Sequence, residues 1–316
     1  MGLGLMGMSD LYGPADDSES VATIHAALDA GVTLLDTGDF YGMGHNELLL
    51  RDALRGRRRD EVTISVKFGV LRDAAGGWHG VDTRPVAIKN FLAYTLRRIG
   101  TDYLDIYRPA RLDATVPVEE SVGAIAELVH QGYVRHIGLS EVGADSLRRA
   151  QAVHPISDLQ IEYSLISRGI EDTILPTARE LGIGITAYGV LSRGLLSGHW
   201  SPQRGQEGDF RARLPRFTGE NLERNLALVD TLQEVASARG VTVAQVAIAW
   251  VMSRGEDIVA LVGARRRDRL GESLGAAELE LTADDIAAIE AAVPTGAVAG
   301  ARYGALQMAA LDSERA

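Results

Sequence analysis

Eight times in 316 residues a short apolar run gives way to an amphipathic helical stretch. GLGLM precedes 19–30, VTLLD precedes 46–56, VTISV precedes 85–99 and YLDIY precedes 117–130. The second half keeps the rhythm, with VRHIGLS before 143–152, DLQIEY before 171–181, GIGITAYG before 222–239 and DIVALVG before 267–275. Strands buried on both faces read as continuous apolar runs, and eight of them, each followed by a helix, predict a closed (β/α)8 barrel of the TIM type. An open sheet with a second domain would call for a break in composition, and no Pro/Ser/Gly-rich linker or low-complexity segment interrupts the chain. One domain is therefore expected over 1–316, with a core to residue 295 and a tail over 296–316.

Composition narrows the chemistry. A net charge of −11 argues against nucleic acid or an anionic membrane surface as partner and suits a soluble protein with small-molecule ligands. No apolar run reaches membrane-spanning length and no leader pattern opens the chain, so a cytoplasmic location is the expectation. The absence of cysteine excludes disulfides, thiolate nucleophiles, thiolate zinc sites and iron–sulfur clusters. Seven scattered histidines show no HExxH-like spacing, and no metal site is expected.

In a barrel of this kind, strand ends converge at the C-terminal face, where reactive groups gather. Residues 31–50, GVTLLDTGDFYGMGHNELLL, end an apolar strand in Asp36 and bring Tyr41 five residues later. The next strand, in EVTISVKFG, ends at Lys67, one of only two lysines in the chain beside Lys89. Arginine stays charged at any ordinary pH, so it cannot supply a lysine's tunable ammonium. A phenol, a cation to lower its pKa and a carboxylate to hold the cation make a proton-donor unit. The simpler reading, a strand-end lysine reaching solvent, leaves Asp36 and Tyr41 without explanation. Residues 2–7, GLGLMG, match GxGxxG, with Asp36 where a dinucleotide fold keeps its ribose acid. No strand precedes Gly2, however, and Pro14 stands where the phosphate-binding helix should begin, so the Rossmann context fails.

The DTxxxYG segment, the strand-end Lys67, GLSE at 138–141 and YGVLSRGLLSG at 188–198 resemble the aldo-keto reductase superfamily, from Gly2 to about residue 295. The resemblance implies NADPH-dependent reduction of an aldehyde or ketone, with Tyr41 as proton donor assisted by Lys67 and Asp36. It implies that Tyr188 stacks on the nicotinamide, that Gly189, Leu191 and Arg193 run along the phosphates, and that Ser140 and Gln160 hydrogen-bond the carboxamide. Glu141 stands where the family usually has Asn. After the eighth strand, LVGARRRDRLGESLGA resembles the adenosine site, with Gly263, Arg265, Arg266, Arg269 and Ser273 placed there. Four arginines within 265–269 suit a 2′-phosphate and favour NADPH over NADH; the alternative is a solvated basic helix face.

Two departures from the family pattern stand out. Met1 opens directly into the first strand, without the short hairpin that usually closes the barrel's bottom. Where most relatives end the fourth strand in a carbonyl-binding histidine, DYLDIYRPARLD places Ala110. Arg108, His79 or water could donate instead, or the protein could be an NADPH-binding sensor with vestigial turnover. The segments 70–84 and 192–221 are expected to be irregular loops walling a substrate pocket. Their aromatics, Trp78, Trp200, Phe210 and Phe217, are either substrate contacts or anchors packed on the barrel.

Overall fold

The computed structural model describes residues 1–200 and 209–315. Eight parallel strands close into a barrel: β1 (Gly2–Gly4), β2 (Leu34–Gly38), β3 (Thr63–Phe68), β6 (Leu104–Pro109), β7 (Val134–Ser140), β8 (Ile156–Glu162), β9 (Gly184–Tyr188) and β10 (Ile258–Gly263). β10 returns to pair with β1, so no sheet edge is left open. The eight alternations of the sequence are all present as strand-then-helix units.

The helices are α1 (Asp17–Asp29), α2 (His45–Ala53), α3 (Pro85–Ile99), α4 (Val118–His130), α5 (Ala144–Val153) and α6 (Ile174–Glu180). They continue with α7 (Gly219–Ala238), α8 (Val243–Met252), α9 (Arg267–Leu274), α10 (Ala283–Ala292) and α11 (Ala305–Ala309). Local chemistry sets several ends. Thr242 and Thr282 each cap a helix with a reciprocal box, to Gln245 and Asp285. α3 starts on Pro85 and stops at Gly100, whose φ of 76° a side chain would strain.

Segment 70–84 is not an irregular loop. Val70–Arg72 and Trp78–Val81 pair as the antiparallel hairpin β4–β5 beside the mouth of the barrel. The turn between them is held by Asp73, which accepts backbone hydrogen bonds from Ala75 and Gly77. In 192–221 the described part consists of short turns of 3-10 helix at 192–197, 210–213 and 215–217, and residues 201–208 lie outside the described residues. Trp200 and Phe217 meet edge to face at 4.7 Å, and Trp200 and Phe210 pack against the hydrophobic core, so these aromatics anchor the loop. Beyond α10 the tail turns back to the barrel mouth, with consequences for the site.

Candidate active site

The strand register builds the centre of the site. Asp36 lies opposite Ser65, Lys67 opposite Arg108 and Ser140 opposite Gln160, so five strands send their side chains into the same end of the barrel. All six are buried. Lys67 Nζ donates to Asp36 Oδ1 and, at 2.9 Å, to Gln160 Oε1. Asp36 Oδ2 accepts from Gln160 Nε2 and from Ser65 Oγ, both at 2.8 Å. Asp36, Lys67 and Gln160 thus form a closed ring of hydrogen bonds. Burial pushes the Asp36 carboxyl up, but the Lys67 and Arg108 cations outweigh it and hold the group below its ordinary value. Burial lowers Lys67, Asp36 raises it and Arg108 lowers it again, for a net value below that of an ordinary lysine.

Tyr41 sits above this ring on a tight turn, with Lys67 Nζ 5.4 Å from the centroid of its phenol ring. The turn needs a left-handed backbone at Gly42 (φ 55°), where a Cβ would come within 3.0 Å of the Ser9 carbonyl. Phe40 meets Tyr41 edge to face at 4.7 Å and Trp78 at 5.8 Å, so the β4–β5 hairpin forms one wall beside the phenol. Burial raises the Tyr41 hydroxyl well above its ordinary value, Asp36 raises it further and Arg111 lowers it. Before any ligand arrives the phenol is firmly protonated.

Ala110 is buried against Phe40 and Tyr41, and its methyl group offers nothing to a carbonyl oxygen. Neither substitute suggested by the sequence is in place. Arg108 is fully buried in the barrel interior, where its Nη2 donates to Ser65 Oγ at 2.8 Å and its Nη1 lies 2.9 Å from Asp158. Gly138 makes room for that pair: a Cβ there would fall 2.4 Å from Asp158 Oδ1. His79 is on the exposed hairpin, paired with Asp73 at 3.0 Å. Besides Lys67, a second cation acts on Tyr41: Arg111, the next residue after Ala110.

The residues expected to hold a cofactor divide into three groups. Ser140 Oγ is buried without a hydrogen-bond partner at the end of β7. Gln160, by contrast, already spends both its polar atoms on Asp36 and Lys67. Tyr188 ends β9, followed by Gly189 with a φ of 68° and, beyond Leu191, by Arg193 with a φ of 56°. The Arg193 guanidinium is turned to Glu162 at 2.9 Å and lies over the Tyr303 ring, leaving the backbone of this loop for any phosphate. Around α9, Arg265 and Arg266 line one open cleft together with Arg267, Pro14, Asp16 and Glu19. Gly263 ends β10 just before it. Arg269 and Ser273 do not line this cleft: Arg269 pairs with Glu272 at 3.1 Å, and the Ser273 hydroxyl donates back to the Arg269 carbonyl one turn earlier in α9.

Sequence reasoning missed the tail. Arg302 sends two hydrogen bonds to Glu141, of 2.8 and 2.6 Å, and lies 3.5 Å from Glu162. Ser313 also donates to Glu141, and Tyr303 shares a 2.9 Å hydrogen bond with the hydroxyl of Tyr188. Tyr188 in turn donates to Glu141 at 2.7 Å. Burial would raise Glu141, but the bonds and charge of Arg302 bring it down to about 2. The only signal in the sequence was the acid itself, at a position where the family expects an amide.

Comparison with known proteins agrees with this geometry. The Aldo/keto reductase family profile matches residues 1–294. A probable aldo-keto reductase from Glycine max is 38% identical over 306 residues, covering 96% of this chain and 88% of that protein. The structure of a glycerol dehydrogenase from Gluconobacter oxydans superposes with a TM-score of 0.84 at 29% identity, covering 92% of this chain and 90% of the other. An aldo-keto reductase from Klebsiella pneumoniae, solved in complex with NADPH, gives a TM-score of 0.72 at 26% identity, covering 93% of this chain and 90% of the other. With a closed eight-stranded barrel, a buried Lys67–Asp36 pair beneath Tyr41 and a family match over nearly the whole length, the chain belongs to the aldo/keto reductase family.

Proposed function

We propose that this protein reduces an aldehyde or ketone to an alcohol with NADPH, and that Tyr41 is the proton donor. The observation that carries the reading is the ring of Asp36, Lys67 and Gln160 beneath the Tyr41 phenol. Bound NADPH supplies the hydride that adds to the carbonyl carbon. Tyr41 gives its proton to the carbonyl oxygen, and Lys67 stabilises the phenolate left behind. A phenol is a weak acid, titrating near pH 10 when free, and burial here makes it weaker still. A cation within a low-dielectric site is what makes the transfer possible near neutral pH. Asp36 and Gln160 fix the ammonium in place.

The orphaned Ser140 hydroxyl suits the carboxamide, Tyr188 the nicotinamide face, and the 189–193 backbone the pyrophosphate. Arg265 and Arg266 suit the 2′-phosphate, since both line the cleft beside α9. NADPH should therefore bind more tightly than NADH, and added salt should narrow the gap, because phosphate–arginine contacts at an open cleft are screened. Arg266→Ala should weaken NADPH more than NADH, whereas Arg269→Ala should discriminate little. Fluorescence titration at low and high salt checks this, and equal affinities of the wild type for both cofactors would remove the arginines from the site.

Ala110 favours a second reading, a cofactor-binding sensor with little turnover. Single-turnover NADPH oxidation with a panel of aldehydes and ketones separates the two. If the enzyme reading holds, the rate should also fall on the alkaline side. Lys67 titrates below an ordinary lysine, so its ammonium, and with it the help to Tyr41, is lost before pH reaches about 10.4. A pH profile that stays flat to that point would contradict the role of Lys67.

A further inference from the structure

We infer that Arg111 is a substrate-binding residue that takes a carboxylate, which makes the substrate an oxo acid: an aldehyde or ketone bearing a carboxylate close to the carbonyl. The inference rests on the reductase reading of Tyr41 and Lys67 and adds the substrate class.

Arg111 leaves the end of β6 directly after Ala110 and is only partly buried. Its Nη1 donates to the Ala110 carbonyl at 2.6 Å, which fixes the side chain against the mouth of the barrel. Its positive charge lowers both Tyr41 and Glu141, in keeping with a place at the mouth of the barrel. Ala110 itself is buried against Phe40 and Tyr41, so the guanidinium that its carbonyl anchors stands beside the proton donor.

The ionic bonds of its neighbours are already made. Glu141 accepts from Arg302, Tyr188, Ser313 and the Glu162 backbone, and Glu162 pairs with Arg193. Among the described residues no carboxylate lies within ion-pair distance of Arg111, and none accepts a hydrogen bond from its Nε or Nη2. With Nη1 held by a backbone carbonyl, the Nε–Nη2 edge remains. That edge is the planar fork that binds a carboxylate with two parallel hydrogen bonds. A guanidinium edge with no ion-pair contact of its own gains two charge-assisted hydrogen bonds when a carboxylate arrives.

The same arrangement bears on Ala110. A carbonyl positioned by a second, charged handle depends less on a donor at its own oxygen, because orientation supplies part of the rate. A neighbouring carboxyl group also draws electrons from the carbonyl carbon.

The test uses binding and turnover separately. Oxamate is titrated calorimetrically into the NADP+-saturated protein, with acetamide as neutral control, in wild type, Arg111→Met and Arg111→Lys. Oxamate should bind wild type and lose ten-fold or more in affinity in Arg111→Met, the scale of hydrogen bonds to a charged group. Arg111→Lys, which keeps the charge without the fork, should lie between. In turnover, the ratio of kcat/KM for 2-oxobutanoate to that for 2-butanone should fall in both variants. Should Arg111→Met fold poorly, the lysine variant still decides the matter. Oxamate affinity equal in all three proteins, or no binding to wild type, overturns the inference even if simple ketones are reduced. Arg111-dependent oxamate binding without NADPH oxidation by any carbonyl would instead keep the anion site and overturn the reductase reading.

Discussion

Tyr41→Phe should bind NADPH about as well as wild type and reduce carbonyls at least about 10²-fold more slowly, the usual scale for losing a general acid. The substitution removes one oxygen and keeps the ring. The edge-to-face contact with Phe40 and the packing over Lys67 should therefore survive, and the fold with them. Burial holds the phenol protonated, so the proton to be delivered is lost outright in the variant. Lys67 cannot take over, because its ammonium is committed to Asp36 and Gln160. Single-turnover NADPH oxidation at saturating cofactor is the measurement, and a variant that keeps the wild-type rate would remove Tyr41 from the chemistry. Because kcat and kcat/KM report different comparisons, a fall in both by the same factor marks a contact made in the transition state.

How much of this could be read from the sequence depends on the range of the interaction. The barrel was legible because each strand–helix unit carries its own periodicity, and because closure needs only that eight units follow one another. Asp36 and Lys67 were legible because strand ends converge wherever the fold is a barrel. The partner of Lys67 across the barrel was not: Gln160, 93 residues away and expected to face a carboxamide, also closes a ring with Lys67 and Asp36. Arg108 illustrates a different limit. Its place at the end of β6 was legible, but whether a long side chain rises to the mouth or sinks into the barrel depends on the counter-charge below. Asp158, beside Gly138, draws it down. The hairpin β4–β5 was missed because its strands are three and four residues long, shorter than a period-2 pattern can declare. The tail was opaque for the same reason as Gln160, since an Arg–Tyr pair in an Ala- and Gly-rich terminus gives no local sign that it returns to the barrel mouth.

That returning tail supports a second large effect, on stability. Arg302→Met should destabilise the protein by about 3–5 kcal/mol at neutral pH, the range for removing one partner of a buried ion pair. Methionine keeps most of the volume of the side chain, so the loss is electrostatic and leaves Glu141 buried without its main counter-charge. The pH dependence gives the cause away. In wild type Glu141 titrates at about 2, below its unfolded value, so the stability it contributes is fully present above the unfolded carboxylate range and is lost as pH falls through about 2. Without Arg302, burial dominates and the carboxyl moves upward, so the variant takes up its proton before wild type does. The deficit should accordingly be largest near neutrality and shrink as the solution is acidified from the variant's raised Glu141 value towards about 2, where wild type takes up its proton as well. The double variant Arg302→Met/Glu141→Gln should recover much of the loss, because a neutral amide can still meet Tyr188 and Ser313 without carrying an unpaired charge into the interior. Denaturant unfolding across pH measures all three proteins. A deficit that is independent of pH, or undiminished in the double variant, would mean that Arg302 acts through packing alone and that the tail is not held to the barrel mouth by charge.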